Sequence, residues 1–117
     1  MNCVFCKIVA GEIPSTKLYE TQDVLAFADI APAAPFHAVI IPKAHSLESA
    51  AEVTAQNSAI IAKIFEAAAV IAKENGLDQD GFRVVTNCGE YAGQTVQHIH
   101  FHLMGGGLLG KMASDCM

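Results

Sequence analysis

His98-Ile99-His100-Phe101-His102-Leu103-Met104 places three of the chain's five histidines at alternate positions within seven residues. Between them stand Ile99, Phe101 and Leu103, all strand or core formers. Strict polar/apolar alternation marks a half-buried β-strand. Successive strand side chains point to opposite faces, so the apolar residues go to the core and the three imidazoles line the other face. Imidazole holds its proton loosely near neutral pH, so such a row suits acid–base and nucleophilic work, with one ring attacking while its neighbours fix tautomers and carry protons. Metal binding fits less well. Same-face neighbours lie about 6.7 Å apart and the outer pair roughly 13 Å apart at the backbone. A zinc–nitrogen bond is only about 2 Å long, so three histidines on one straight strand do not close on a single ion. A merely decorated surface strand is the remaining reading; three alternating histidines between glycine turns weigh against it.

Those turns are Asn87-Cys88-Gly89-Glu90-Tyr91-Ala92-Gly93-Gln94-Thr95 before the histidines and Gly105-Gly106-Gly107 after them. Glycine lets a backbone approach a ligand closely. Clustered backbone N–H groups favour anions, phosphate above all. Gln94 and Thr95 add side-chain donors. Either segment alone reads as an ordinary turn. Around a histidine nucleophile they point to attack on phosphorus.

His-φ-His-φ-His-φ-φ, with φ apolar, is the motif of the histidine-triad superfamily of nucleotide hydrolases and transferases, and residues 98–104 match it in full. The resemblance continues through Phe5-Cys6-Lys7-Ile8, Glu12-Ile13-Pro14, Ala26-Phe27-Ala28-Asp29-Ile30, His37-Ala38-Val39-Ile40-Ile41-Pro42-Lys43 and Gly93-Gln94-Thr95-Val96. The Leu103-Met104-Gly105-Gly106 exit resembles the Hint branch of purine nucleoside phosphoramidases. The nucleotidyltransferase branch carries Gln where this chain has His102, which favours hydrolysis.

The resemblance implies roles. His100 is the expected nucleophile, His102 the group that contacts phosphate and assists the leaving amine, and His37 the residue that completes the constellation. Asn87, Gly93, Gln94 and Thr95 are expected around the phosphate and the leaving group. Asp29 is expected on the ribose hydroxyls, and Phe5, Ile8, Phe27 and Ile30 around the purine. For the last four, plain core is the alternative. The substrate so implied is an AMP or GMP derivative. A dinucleoside polyphosphate hydrolase of the Fhit-like type and a non-catalytic nucleotide-binding adaptor are the rivals. One departure stands out: many Hint-like proteins have Arg after the Gly-Gly pair, and here it is Gly107.

Cys3-Val4-Phe5-Cys6 is a second constellation. A Cys-x-x-Cys pair needs two more ligands to make a structural zinc site, and His45 and His98 are the candidates. The resemblance to bacterial histidine-triad proteins with this motif implies zinc held by Cys3, Cys6, His45 and His98, with no metal needed at the chemical step. His98 then serves the metal although it belongs to the triad. A redox-active thiol pair and two inert cysteines are the other readings. Cys88 and Cys116 look unpaired, Cys116 in a loose tail over residues 108–117.

The elements that must position these groups read as an α+β domain. Strands are expected at Lys17–Glu20, Val24–Asp29, His37–Pro42, Phe82–Thr86 and His98–Met104. A short helix is expected over Ser46–Val53 and a long one from about Thr54 to Asn75, with Gly76 as its terminator. Ile60, Ile61, Ile64, Phe65, Ala68, Ile71 and Ala72 recur at helical spacing and face the sheet. The expectation is a five-stranded antiparallel sheet with one long and one short helix, in a single domain over 1–117 whose segment 1–15 carries the metal cysteines. The resemblance implies a homodimer.

At 117 residues the chain can bury its own core. Hydrophobic residues make up 52%, enough to reserve some apolar surface for a second subunit. Seven basic against twelve acidic residues give −5, which argues against nucleic-acid and anionic-membrane partners. An anionic substrate must then be held by local N–H groups and histidines. Polar residues interrupt every long apolar stretch, so no membrane span is expected. Cysteines without a leader-like apolar run suit the cytoplasm.

Overall fold

The computed structural model describes residues 3–112. Five strands, β1 (Lys17–Glu20), β2 (Val24–Ala28), β3 (Phe36–Pro42), β4 (Arg83–Val85) and β5 (Phe101–Gly105), form one antiparallel sheet in the order β1-β2-β3-β5-β4. The expected five-stranded sheet is therefore present. Its helices are α1 (Val4–Val9), α2 (Ala59–Glu74) and α3 (Leu77–Asp80).

Alternation divides the sheet cleanly. Val24, Ala26, Ala38, Ile40, Phe101 and Leu103 face α2, whose Ile64, Ala67, Ala68, Ile71 and Ala72 close one core. Leu25, Phe27, Val39 and Ile41 face the other way, onto Phe5 and Ile8 of α1. Ile60 and Ile61 border the first core as expected, whereas Phe65 is half exposed. Gly76 follows the Asn75 cap with φ of 72° and ends α2, the left-handed terminator read from its position.

Three boundaries differ from expectation by more than one residue. First, α2 begins at Ala59 rather than Thr54. The Thr54 hydroxyl accepts from the Gln56 N–H, and the Asn57 side chain accepts from the Thr54 N–H, so side chains capture the donors a helix would use. Second, residues 46–53 make only a single 3-10 turn at Ala50–Glu52, capped by Ser49. Third, β5 begins at Phe101, not His98. The β3 ladder ends at Ile40–Phe101, and the Ile99 N–H turns away to the Leu47 carbonyl. His98 and His100 therefore sit in an ordered approach to the strand. The helix α1 was not foreseen: Cys3 is its N-cap, its thiol accepting from the Cys6 N–H at 3.3 Å. Cys116 and residues 113–117 of the tail lie outside the described residues. Among those described, no helix is long and apolar enough to cross a membrane.

Candidate active site and metal centre

The sheet face that carries α1 also carries all five histidines. His98 and His100 are buried, and His102 is half-buried beside His37 of β3. Their rings form a chain: His45 to His98 at 4.6 Å between centroids, His100 to His102 at 5.3 Å, and His102 to His37 at 5.0 Å. Phe5 packs its edge against His98, His100 and Phe27. The chain divides into two chemically distinct halves.

Hydrogen bonds assign the protons in the half made by His100, His102 and His37. His100 Nδ1–H donates to the His98 carbonyl at 2.8 Å. A carbonyl can only accept, so the proton is on Nδ1 and the Nε2 lone pair is free, the form a nucleophile requires. The same His100 residue is held from behind, where the Thr86 hydroxyl donates to its carbonyl at 2.7 Å. At His37, Nδ1 accepts from the Ala33 N–H at 2.9 Å, so the neutral ring carries its proton on Nε2. That Nε2–H donates to His102 Nδ1 at 2.8 Å. His102 is thereby left with its proton on Nε2, available to a phosphate oxygen or a departing group. Burial lowers the His102 pKa, His100 and His37 push the same way, and Asp29 opposes them.

The other half gathers Cys3, Cys6, His45 and His98, whose ligand atoms all lie within 4.8 Å of one another. Cys3 Sγ is 3.3 Å and Cys6 Sγ 3.6 Å from His98 Nδ1, and Cys6 Sγ is 3.2 Å from His45 Nδ1. A tetrahedral zinc with sulfur at about 2.3 Å and nitrogen at about 2.05 Å needs sulfur–nitrogen edges of about 3.5 Å. The second nitrogens are satisfied as metal-binding histidines require, with His98 Nε2–H donating to the Pro42 carbonyl and His45 Nε2–H to the Gln97 carbonyl. Both Nδ1 lone pairs thus face the thiols. Two sulfurs and two nitrogens fit zinc and leave no open position for chemistry. Burial, and then Cys3, raise the Cys6 pKa; a bound cation would invert that effect.

Asp29, His37 and His102 also bring three ligand atoms within 4.8 Å of one another. Here the Ala33 N–H forces the His37 proton onto Nε2, the atom a metal would need. This cluster is a proton-carrying network rather than a metal site.

The remaining expected residues separate. Phe5, Ile8 and Phe27 come together in the apolar cluster beneath α1, while Ile30 is 99% exposed and outside it. Gln94 is buried, accepts from the Gly89 N–H and donates to the Glu48 and Val96 carbonyls, so its amide is spent on backbone. Gly93 is left-handed at the end of the turn Gln94 anchors. Thr95 lines a cavity of about 370 Å³ that opens onto Cys3 and His45. Asn87 is half-buried just after Thr86. Thr86 and Ala33, which fix His100 and His37, carried no signal in the sequence, because one acts through a hydroxyl on a main-chain carbonyl and the other through its own N–H. A second cavity of about 570 Å³, lined by Leu77, Phe82, Arg83 and Gly107 among others, touches none of the histidines.

The family model for the scavenger mRNA decapping enzyme C-terminal binding domain matches residues 2–114. Purine nucleoside phosphoramidase of Escherichia coli K12 is 40% identical over 109 residues, covering 93% of this chain and 91% of that protein. The 14 kDa zinc-binding protein of Zea mays is 47% identical over 104 residues, 88% of this chain and 80% of that protein. Among solved structures, a HIT family hydrolase from Clostridium thermocellum superposes with a TM-score of 0.90 at 48% identity, covering 95% of this chain and 96% of the other. A histidine triad protein from Clostridium difficile gives 0.91 at 46%, covering 96% of both chains.

Proposed function

The chain belongs to the histidine-triad family of hydrolases, and from that premise we propose that it cleaves the P–N bond of purine nucleoside 5′-phosphoramidates through a nucleotidyl–His100 intermediate. The observation that carries this reading is the 2.8 Å bond from His100 Nδ1–H to the His98 carbonyl, which leaves Nε2 as a free base beside His102. His100 Nε2 attacks phosphorus, the P–N electron pair leaves with nitrogen, and His102, in its protonated form, gives its Nε2 proton so that the product is an amine. Water then displaces His100, returning a proton to His102 Nε2, and releases the nucleoside monophosphate. A neutral imidazole both attacks well and leaves well as the second bond breaks.

Phe5, Ile8 and Phe27 supply an apolar wall for the base, and Asp29 an acceptor for ribose hydroxyls. Ile30 adds to that wall only when a ligand covers it. Asn87 and Thr95 serve phosphate and leaving group, while Gln94 acts by shaping the turn that presents Gly93. Zinc in the Cys3–Cys6–His45–His98 site is structural: it ties α1 to the segment that carries the nucleophile. The free β4 edge and the half-exposed Phe65 and Phe82 are the surface proposed for a homodimer.

Hydrolysis of an adenosine 5′-phosphoramidate by wild type and His100→Ala, with and without chelator, tests this. The expected result is turnover that requires His100 and survives chelation. Folded wild type that ignores phosphoramidates but cleaves a diadenosine polyphosphate supports the Fhit-like alternative. Nucleotide binding without turnover of either supports an adaptor.

A further inference from the structure

The metal reading and the dithiol reading of Cys3-Val4-Phe5-Cys6 are compatible, because one turn of helix serves both. Cys3 caps α1 and its carbonyl accepts from the Lys7 N–H at 3.1 Å, so its Cα already lies on the helical path. Residues three apart on that path have Cα atoms about 5 Å apart, within the range of about 4.4–6.8 Å that a disulfide spans. The sulfurs also converge. The Cys6 N–H donates to Cys3 Sγ at 3.3 Å, and the two sulfurs lie 3.3 and 3.6 Å from the same atom, His98 Nδ1. On a tetrahedral zinc the sulfur–sulfur edge is about 3.8 Å. A disulfide closes that edge to about 2.05 Å, so each sulfur moves by only about 1 Å and side-chain rotation supplies it.

A small oxidant has access to the pair. Cys6 is partly exposed. Cys3 is buried, yet it lines the cavity of about 370 Å³ shared with Val4, His45, Glu48 and Thr95, which has ample room for a peroxide molecule. Zinc makes the sulfurs reactive, since a coordinating thiol is deprotonated and the thiolate is the nucleophilic form. A sulfenic acid with a second thiolate in reach condenses to a disulfide rather than advancing to the irreversible acids. Cys88 offers an internal control: it is exposed, and its thiol donates to the Ser49 hydroxyl at 3.3 Å.

We propose that Cys3 and Cys6 form a reversible oxidation site, at which hydrogen peroxide converts the zinc-bound dithiolate to a disulfide and releases the metal. This rests on the metal centre and is independent of the hydrolase reading. One thiolate sulfur attacks a peroxide oxygen; the O–O bond breaks, a sulfenic acid forms and hydroxide leaves. The neighbouring thiolate attacks the sulfenic sulfur; the S–S bond forms, the S–O bond breaks and a second hydroxide leaves. Both hydroxides take protons from solvent. Two electrons pass from the sulfurs to peroxide, which ends as two waters. Zinc is left with His45 and His98 alone, half of a structural ligand set, and departs as the hydrated ion. A dithiol reverses the bond by exchange, after which zinc rebinds. The oxidised chain keeps the first turn of α1 but loses its tie to His45 and His98, so α1 rests on the packing of Phe5 and Ile8, as it does after chelation.

The experiment exposes zinc-loaded wild type and Cys88→Ser to hydrogen peroxide at neutral pH, beside an unoxidised control. Released zinc is read with a chromogenic chelator, and the cysteines by alkylation and tryptic mass spectrometry. The peptide ending at Lys7 carries both Cys3 and Cys6, so their disulfide appears on that peptide as resistance to alkylation and the loss of two hydrogens. The expected result is one zinc released for each disulfide formed there, to the same extent in wild type and Cys88→Ser. Oxidised protein melts together with chelator-treated protein, and dithiothreitol with added zinc restores both metal content and melting point. Zinc retained under peroxide, zinc lost while both cysteines of that peptide still alkylate, or those cysteines driven directly to sulfinic acid overturns the inference. So does release that disappears in Cys88→Ser, and so does wild type that takes up no zinc at the outset.

Discussion

Removal of the metal should loosen α1 without dissolving the sheet, and the size of the effect follows from what the site joins. Cys3 and Cys6 come from α1, His45 from the loop after β3, and His98 from the approach to β5. A ligand that binds only the folded state at about a thousandfold excess over its dissociation constant adds about 4 kcal/mol. For a domain of this size one kcal/mol moves the melting point by about 4 °C, so the loss is roughly 15 °C. Global unfolding is not expected, because Leu25, Phe27, Val39 and Ile41 stay buried under Phe5 and Ile8, and α2 covers the other face independently. Nor does demetallation orphan buried polar atoms: among the described residues every buried side-chain nitrogen and oxygen has a partner. The assay is thermal unfolding of wild type with and without a strong chelator, beside Cys6→Ala, with zinc content measured on each. Wild type plus chelator and Cys6→Ala should melt together, well below the loaded protein. Hydrogen exchange should quicken in α1 and at residues 98–100 while α2 stays protected. Protein that takes up no zinc, or a chelator that leaves the melting point unmoved, would refute the reasoning.

Other perturbations test separate links. Thr86→Val removes one hydroxyl bond to the His100 carbonyl, worth about 0.5–1.5 kcal/mol, so kcat/KM should fall roughly two- to tenfold with little change in melting point; an unchanged rate would remove Thr86 from the site. Burial lowers the pKa of His102 below the ordinary imidazole value. The unfolded chain therefore takes up a proton first, so its contribution is complete above about pH 6.5 and is lost as pH falls below it. Urea midpoints should be flat from pH 8 to 7 and drop from 6.5 to 5; a midpoint that rises on acidification would contradict this sign. Phe65→Glu places a charge on the half-exposed face of α2 and should turn the proposed homodimer into a monomer by light scattering, whereas a wild type that is already monomeric, or a variant that stays dimeric, would contradict the proposed contact.

Much of this site was legible because alternation is a local property. The pattern at 98–104 placed Ile99, Phe101 and Leu103 in the core and three imidazoles on the other face, and the structure has both. It could not say that the ladder stops at Phe101, because that depends on where Ile99 and His98 spend their hydrogen bonds, on Leu47 and Pro42 from distant segments. The helix α1 escaped notice for a related reason. Six residues are too few for a period, and its start rests on a cysteine acting as a cap. Gln94 has the chemistry of a phosphate ligand and is used instead to brace a turn, since side-chain type does not reveal which backbone groups lie within reach. Ile30 next to Asp29 reads as pocket lining, yet the turn after β2 sends it to solvent. The pairing of Asp29 with His37 was implicit in the register of β2 and β3, but only a fixed register turns two alternations into one contact.

The claim on which the account turns is that His100 Nε2 becomes bonded to phosphorus. Rapid quenching of the enzyme during turnover of an adenosine 5′-phosphoramidate, followed by peptide mass spectrometry, tests this most directly. The account predicts an acid-labile adenylyl group on the peptide carrying His100, present in wild type, present after chelation, and absent from His100→Ala. Steady turnover with no adduct on that peptide, or an adduct that persists in His100→Ala, would contradict it.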